Sequence, residues 1–477
     1  MKQTFLKLFI ITLATVSLLS CNKSYLNDTP YTANVLTSAI KTEGDLLVAA
    51  AGMYSSLRAT DLYGRTLPVK GDLMADNTFV TTSNSGRYIT LNNYAFNNAD
   101  AYALGIWQNA YISIKYANNI ISSAANIANT ANVNQYLGEA YAVRALMHFE
   151  LVRNFSTAYT VDSTKPGIPI VNTFNLNPYS VPSRGAVKDV YKQIISDLEN
   201  AYKLMTIYRG TAYFSKYAAR ALEARVYQNM GDWVDAQTTA LDAINNSGVT
   251  LLSSANYAAY WANPVVQPST TKNETFFEVA SDLTSNNGFD QIGFIYLTVG
   301  GGYGDILATP ELAGLYSATD ARKALCAVGT RSGQAGTVYL CMKYPNPANG
   351  TDKDDTKILR LSDVLLIAAE AYYNLGDIPN ANLYLNKVAQ QRDPSFAGWS
   401  DAGTQVLEDI LTERRKELAF EGNRFWDLVR LNRSWTKIKN QNPLTTVAVA
   451  PGNIALMFPI PISEINANPN IVQNPGY

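Results

Sequence analysis

Apolar residues recur at intervals of three and four along most of the chain, which is the period of an amphipathic α-helix. Eight segments show this pattern and are predicted to be helical: 42–60, 106–127, 134–155, 183–205, 215–230, 233–248, 360–375 and 378–392. Since strands would need an alternating pattern, the chain is predicted to be mainly helical.

An internal repeat groups these helices into pairs. The stretch "ARVYQNMGDWVDA" at 224–236 matches "AEAYYNLGDIPNA" at 369–381, with Ala, Tyr, Asn, Gly, Asp and Ala at equivalent places. Gly231 and Gly376 are predicted to end the first helix of each pair. The pattern is typical of tetratricopeptide units, and we expect about four pairs, or eight helices, in a short solenoid.

Long segments without helical period separate the pairs. They are rich in Gly, Asn, Pro, Thr and Tyr. We call them the first insert (62–106), the second insert (156–182), the third insert (249–356) and the fourth insert (433–477). Irregular segments of this length usually carry function. The predicted fold is therefore a tetratricopeptide-like helical scaffold with long loop and hairpin inserts that form a second face.

The N-terminus is predicted to be a lipoprotein signal peptide, residues 1–20. Lys2 and Lys7 precede an apolar run at 8–19, which is too short for the ~20 residues that span a bilayer. The stretch "LLSC" resembles a lipobox, in which Cys21 carries the lipid. The alternative is an ordinary signal peptide that contains a cysteine. Two or more acyl chains anchor a protein stably, so the rest would be a body tethered to a membrane.

Composition excludes several function classes. The formal net charge is −1 with no basic cluster, which argues against a nucleic-acid partner. The single histidine, His148, lies on the stripe of a predicted helix and is interpreted as a core residue. We expect no metal site and no cofactor.

Cys326 and Cys341 flank the stretch "AVGTRSGQAGTVYL". In an exported protein such a pair can form a disulfide across a hairpin. Two free buried thiols are the alternative, and the sequence does not decide between them.

Several motifs in order resemble the SusD/RagB family of outer-membrane nutrient-binding lipoproteins of the Bacteroidota. The resemblance runs over residues 21–477. The motifs are "TEGDLLVAAAGMYSSL", "WQNAYISIKYANNII", "EAYAVRALMHFELVRNFSTAY" with "GIPIV", "DARKAL", "KYPN", "ILRLSDVLLIAAEAYYNLGD", "ERRKELAFEGNRFWDLVRL" and "PIPISEINANPNIVQNPGY".

This resemblance implies a division into a SusD-like part at about 22–230 and a RagB/SusD part at about 270–477. It implies a lipoprotein of the outer membrane, anchored through acylated Cys21 and facing the cell exterior. Such a protein captures glycans, or sometimes peptides, and passes them as a hinged lid to a SusC-like TonB-dependent transporter. It implies binding without catalysis.

Aromatic planes and hydrogen-bonding side chains are the groups that hold sugar rings. Two inserts contain this mixture and are predicted to supply the ligand site. The candidates are Asp72, Asp76, Asn77, Arg87, Tyr88 and Tyr94 from the first insert, and Tyr260, Trp261, Phe289, Tyr296 and Tyr303 from the third.

The stretch "ERRKELAFEGNRFWDL" places Glu417, Glu421, Arg424 and Asp427 at spacings of four, three and three. On one helix these residues would form a salt-bridge ladder. Adjacent basic residues would keep the carboxylates ionised, whereas a glycosidase acid needs a raised pKa.

Two rival functions are a lipidated tetratricopeptide adaptor for envelope protein assembly and an enzyme acting on glycans.

Overall fold

The computed structural model describes residues 40–175, 177, 180–262, 272–350, 352–441 and 444–477. The predicted signal peptide and the predicted lipid attachment at Cys21 lie outside these residues. Within them, no helix combines the length and the apolar character that a membrane crossing requires.

Helices are the main elements of the chain. In order, they are α1 Glu43–Leu57, α2 Thr66–Leu73, α3 Ile89–Asn92, α4 Ala101–Ala124, α5 Ala131–Phe155, α6 Tyr159–Asp162, α7 Val187–Leu204, α8 Lys216–Met230 and α9 Trp233–Asn246. The remaining ones are α10 Ser254–Ala262, α11 Ile292–Tyr296, α12 Pro310–Ala313, α13 Leu361–Asn374, α14 Ile378–Arg392, α15 Gln405–Glu417, α16 Arg424–Arg430 and α17 Ile462–Ala467. The prediction of a mainly helical fold is confirmed.

Eight of these helices stack in succession as four pairs. Helix α1 packs on α4, α4 on α5, α5 on α7, α7 on α8, α8 on α9, α9 on α13 and α13 on α14. Gly231 ends α8 with a φ of 74°, and Gly376 follows α13 with a φ of 84°. Both glycines adopt the left-handed conformation that other residues rarely take, so the predicted turns of the repeat are confirmed.

Buried polar contacts lock the two repeat units together. Arg225 of α8 donates to the carboxylate of Asp363 at 2.8 and 3.0 Å, and Gln228 donates to Glu370 of α13 at 2.8 Å. All four side chains are buried. Because a buried polar group without a partner is costly, these contacts specify how the units stack.

Short strands form the second face. They are β1 Thr78–Val80, β2 Thr275–Val279, β3 Ile306–Ala308, β4 Cys326–Gly329, β5 Val338–Cys341, β6 Thr356–Arg360, β7 Trp435–Gln441 and β8 Leu444–Val449. One antiparallel sheet has the order β1-β3-β5-β4, and β2 pairs with β6 and β7 with β8. Strand β1 belongs to the first insert and β3, β4 and β5 to the third, so this sheet joins the two.

The predicted salt-bridge ladder is wrong, because one continuous helix does not exist there. Helix α15 ends at Glu417 and α16 starts at Arg424. Between them Phe420 has a φ of 68° and Gly422 a φ of 80°, which reverses the chain. The four charged residues therefore bind different partners.

Glu417 is the centre of a buried charge cluster. Its carboxylate lies 3.2 Å from Arg322, 2.9 Å from Arg360 and 3.0 Å from Arg392. Burial opposes ionisation, but the charges of Arg392, Arg360 and Arg322 outweigh it and hold the pKa of Glu417 well below its usual value. The cluster joins α15 to α14, β6 and the segment before β4, and it is structural.

His148 is a core residue, as predicted. It is fully buried in α5, and burial lowers its pKa to about 3. Its Nε2 atom accepts a hydrogen bond from the backbone N–H of Val171 at 3.4 Å. The imidazole is therefore neutral near pH 7 and holds the second insert against the scaffold.

Candidate functional site

The two candidate inserts meet beyond the ends of β1 and β3. The two strands pair from Thr78 with Ala308 to Val80 with Ile306. The pairing continues outward, since the N–H of Thr81 donates to the carbonyl of Asp305 at 2.7 Å. The N–H of Ser85 donates to the Asp305 carboxylate at 3.0 Å. The loop at 81–88 is thereby fixed beside the loop at 298–305.

Arg87 and Tyr303 form the centre of the surface that results. The Arg87 guanidinium lies over the Tyr303 ring, 3.7 Å from its centroid, and donates to the Tyr303 hydroxyl at 2.9 Å. Asp290 lies 3.9 Å from Arg87, and Phe289 precedes it. We call Arg87, Phe289, Asp290 and Tyr303 the aromatic platform.

The side chains of Phe289 and Asp290 are exposed to solvent, and those of Arg87 and Tyr303 are partly exposed. Phe289 is 56% exposed, and the side chains of Asp290 and Arg87 are 48% and 31% exposed. Phe289 rests on Phe294, with ring centroids 5.0 Å apart. A large apolar ring held on the surface in this way presents a face that the protein itself does not cover.

Buried residues beneath the platform hold it in place. Arg65 lies 2.5 Å from Asp290 and donates through Nε to the Tyr88 hydroxyl at 2.9 Å. Tyr88 stacks on Tyr102 with centroids 4.6 Å apart, and burial raises the pKa of Tyr88 to about 12. Arg65 thus connects the surface carboxylate to the stacked pair of buried Tyr88 and partly buried Tyr102.

The β4–β5 hairpin clamps the platform from the side. Arg331 at its tip donates to the carbonyls of Gly304 at 2.7 Å, Tyr303 at 2.9 Å and Ser83 at 2.6 Å. Ser83 belongs to the first insert and the other two to the third. One guanidinium therefore ties the two loops together, and Arg331 is a positioning residue.

The glycine-rich stretch "VGGGYG" forms the loop beneath Phe289. Gly300 and Gly301 have φ values of 62° and 85°, which only glycine adopts readily. A Cβ on Gly301 would lie 3.8 Å from the Phe289 ring, and one on Gly300 would lie 2.3 Å from Ala348. The glycines therefore allow a close turn that supports the aromatic side chain.

Chemically, the platform suits a ligand with both an apolar face and hydroxyl groups. Aromatic rings pack on the apolar face of a sugar, and charged side chains hydrogen-bond its hydroxyls. The exposed carboxylate is paired with arginine. Asp290 is the only carboxylate among these four residues, and it pairs with Arg65 and Arg87.

Three of the predicted ligand residues, Arg87, Phe289 and Tyr303, come together in the platform. Six others are buried and present no surface to a ligand in this structure. They are Asp72, Asn77, Tyr88, Tyr260, Trp261 and Tyr296. The reason is that rings and polar side chains in these inserts also form the core beneath the loops.

Asp72 illustrates a buried carboxylate with a structural role. It accepts hydrogen bonds from Asn77 at 2.6 Å and from the N–H of Gly422 at 2.8 Å. Burial raises its pKa to about 6, against the effect of these two bonds. It therefore links the first insert to the turn that precedes α16.

Trp261 and Tyr260 pack inside the third insert. Lys343 and Lys357 lie over the Trp261 ring, 4.5 and 4.6 Å from its centroid. Tyr296 stacks on Tyr344 with centroids 6.2 Å apart. These rings stabilise buried cations and each other, which accounts for their position in the interior.

Asp76 and Tyr94 lie away from the platform and are only partly exposed. Asp76 pairs with Arg424 at 2.8 Å and Arg415 at 3.4 Å. Burial acts to raise its pKa, but Arg424 and Arg415 outweigh that effect and lower it. Tyr94 donates to the carbonyl of Met74, and burial raises its pKa. Both interactions are internal.

Sequence reasoning missed four residues that build or support the platform. They are Arg65, Tyr102, Asp290 and Arg331. Asp290 directly follows Phe289, so its neighbour was the available signal. No sequence signal pointed to Arg331, because it binds backbone carbonyls that only the folded hairpin brings near it.

In this structure Cys326 and Cys341 are unbonded and buried, and they lie opposite each other on β4 and β5. Within the described residues, no group of three or more His, Cys, Asp or Glu side chains is arranged to hold a metal ion.

A separate cleft of about 640 Å³ lies between α4, the second insert and α17. Its aromatic residues are engaged internally. Trp107 is buried and donates to Glu464 at 3.3 Å, and Tyr111 donates to the carbonyl of Pro169 at 2.9 Å. Trp107 is buried and Tyr111 is partly buried, so neither ring is as exposed as Phe289 of the platform.

Comparison with known proteins identifies the family. A model described as "SusD family" matches residues 321–477, and one described as "Starch-binding associating with outer membrane" matches residues 24–228. SusD-like protein P2 of Formosa agariphila is 28% identical, covering 98% of this chain and 99% of that protein. SusD-like protein P38 of the same organism is 25% identical, covering 78% and 79%.

Solved structures agree in fold. A SusD superfamily protein from Bacteroides thetaiotaomicron VPI-5482 has a TM-score of 0.82 and 28% identity, covering 91% of this chain and 100% of that one. Another from Bacteroides vulgatus ATCC 8482 has a TM-score of 0.81 and 28% identity, covering 92% and 99%. The repeat pattern, the fold and both matched regions agree, and the chain belongs to the SusD-like family.

Proposed function

We propose that this protein captures glycans on the aromatic platform. The observation that carries the proposal is the meeting of Arg87, Phe289, Asp290 and Tyr303 on one surface built from two inserts, where Phe289 and Asp290 are exposed and the other two are partly exposed. An exposed ring beside paired charges provides both the stacking and the hydrogen bonds that a sugar requires. The family description "Starch-binding associating with outer membrane" supports the same ligand class.

The proposed setting is the outer membrane. In this proposal Cys21 is acylated after removal of residues 1–20, and the body faces the cell exterior. It acts as a hinged lid that delivers its ligand to a SusC-like TonB-dependent transporter. The family matches at 24–228 and 321–477 support a division into parts at about 22–230 and 270–477.

Binding without cleavage is part of the proposal. Glycosidases generally need two carboxyl groups on either side of the scissile bond. The platform has one carboxylate, Asp290, which lies 2.5 Å from Arg65. The nearby Asp305 is buried, and its carboxylate accepts a hydrogen bond from the Ser85 hydroxyl.

Peptide capture is the second candidate, and a specific observation favours it. Arg87 and Asp290 present opposite charges on one surface, and these suit the carboxylate and the amine of a peptide. A lipidated tetratricopeptide adaptor is a weaker candidate, because the inserts cover so much of the scaffold.

Titration calorimetry tests the proposal. Residues 22–477 are titrated with a panel of polysaccharides and, separately, with a peptide mixture. We expect heat with at least one polysaccharide and none with the peptides. Heat with peptides alone would support the second candidate, and heat with a purified transporter alone would support a role in assembly.

A further inference from the structure

The β4–β5 hairpin holds its two cysteines in a particular register. Cys326 is directly opposite Cys341, and Ala327 is opposite Leu340. The N–H of Met342 donates to the carbonyl of Leu325 at 2.9 Å, so those two form a hydrogen-bonded pair. Because such pairs alternate along antiparallel strands, Cys326 and Cys341 occupy a non-hydrogen-bonded position.

This position brings the two thiols within bonding reach. Cα atoms at non-hydrogen-bonded positions are about 4.5 Å apart. Disulfides span Cα separations of about 4.4–6.8 Å. Side chains directly opposite each other leave an antiparallel pair on the same face, so Cys326 and Cys341 point the same way, and both are buried. The register of the hairpin is therefore compatible with a bond between them.

We propose that Cys326 and Cys341 form a disulfide that closes the base of this hairpin. The inference rests on the proposed function only in requiring export to an oxidising compartment. The oxidant is a protein disulfide. One cysteine thiolate attacks it to give a mixed disulfide, and the second cysteine displaces the remaining thiol. One S–S bond forms and one breaks, and the two protons end on the two thiols of the reduced oxidant.

The exchange takes place during folding. Cys341 is fully buried and Cys326 nearly so, which leaves no room for an oxidant to reach either sulfur in the folded protein. Burial also raises the pKa of Cys326 to about 12 and that of Cys341 well above its usual value, so few thiolates form. Once made, the bond is equally protected from reductants.

The bond matters because of what the hairpin tip carries. Arg331 ties Ser83 to Tyr303 and Gly304, and the carbonyl of Gly333 accepts from the Thr82 hydroxyl at 3.1 Å. Each strand of the hairpin has only four residues. A covalent link at its base therefore supports the clamp on the aromatic platform.

Peptide mapping of the full chain tests the bond. Cells that express the protein are lysed under denaturing conditions with iodoacetamide, which blocks every free thiol. The protein is then digested with trypsin without reduction. Trypsin cuts after Lys323, Arg331 and Lys343, which separates the two cysteines. We expect peptides 324–331 and 332–343 to be recovered as one linked species that reduction separates. Recovery of the two peptides apart, each carrying the iodoacetamide label, would overturn the proposal.

A second experiment tests the role of the bond in the clamp. In the folded protein, we expect the Cys326→Ala, Cys341→Ala double variant to be cleaved after Arg331 several-fold faster than the unchanged chain. Val328→Ala, an exposed position two residues along the same strand, is the matched control and should leave the rate unchanged. Equal cleavage rates in the double variant and the unchanged chain would show that the disulfide does not support the clamp. Neither experiment uses a glycan, so a failure of glycan binding is distinguishable from a failure of this inference.

Discussion

Lys70 is a buried cation enclosed by aromatic rings. Its ammonium lies 4.6 Å from the Phe425 centroid, 4.4 Å from that of Trp426 and 4.7 Å from that of Phe458. Burial lowers its pKa to about 7, which Glu150 only partly offsets. The rings stabilise the charge through their negative faces, but they do not replace the water that it has lost.

Replacing Lys70 by Met should therefore stabilise the protein. Between pH 7 and 10.5 the folded protein binds fewer protons at this site than the unfolded chain. The free-energy cost of burying the Lys70 ammonium is therefore largest below pH 7 and decreases as the pH rises. We expect Lys70→Met to raise the free energy of unfolding at pH 6 by about 1–3 kcal/mol, after allowance for the lost ring contacts. Urea unfolding at pH 6, 7, 8 and 9 measures the gain.

The exposed Lys188 provides the control. Lys188→Met should change the free energy of unfolding by less than about 0.5 kcal/mol at every pH. A gain in Lys70→Met that stays constant from pH 6 to 9 would contradict the assigned cause.

Residue type alone predicted the ligand side chains only in part. Tyr303 and Trp261 have the same aromatic character and both lie in the third insert. Tyr303 is partly exposed with Arg87 over one face of its ring, whereas Trp261 is buried with Lys343 and Lys357 over its ring. Which ring is exposed depends on partners distant in sequence, and periodicity does not reveal them.

At the scale of elements, helix α2 crosses the turn before α16 at very short range. A Cβ on Gly71 would lie 1.9 Å from the carbonyl oxygen of Gly422, and one on Gly422 would lie 2.7 Å from the Cα of Pro68. The second glycine also has a φ of 80°.

Two glycine substitutions in helices should therefore have opposite effects. Gly71→Ala should lower the free energy of unfolding by about 3 kcal/mol or more, because the methyl group overlaps a carbonyl. Gly52→Ala in α1 should raise it by roughly 0.5–1 kcal/mol, since no atom lies within 4 Å of the new Cβ. Chemical unfolding of both variants measures the difference, and a loss of stability in Gly52→Ala would contradict the account.

The repeat pairs were predictable because their signals are local. Helical period and the turn glycines Gly231 and Gly376 lie within one short stretch each. The ladder failed at a break that period does not show, because Phe420 adopts a positive φ without being glycine. The pair Gly422-Asn423 was the only local sign of a turn.

Over the whole molecule, the two proposed parts interlock. Arg225 binds Asp363 across their boundary, and Asn77 accepts from Arg415 at 2.8 Å. Unfolding of one part alone would remove Arg225 from Asp363 and Arg415 from Asn77, and would thereby lower the stability of the other part. We expect a single calorimetric unfolding transition for the chain. Two resolved transitions would contradict the interlocking and support independently folding domains.

The platform exists only at this scale, since its four residues come from two inserts and its clamp from a hairpin. That explains why sequence reasoning identified Arg87, Phe289 and Tyr303 but not their common position. The strand pairing of β1 with β3 creates the juxtaposition, and those strands are three residues long.

Titration of matched tyrosine variants with one bound polysaccharide tests the central claim most directly. Tyr303→Ala should weaken binding roughly tenfold or more, about 1.4 kcal/mol, because it removes a ring and the partner of Arg87. Tyr208→Ala is the control, since Tyr208 is 59% exposed and lies outside the platform. Unchanged affinity in Tyr303→Ala, or an equal loss in both variants, would show that the platform is not the site of capture.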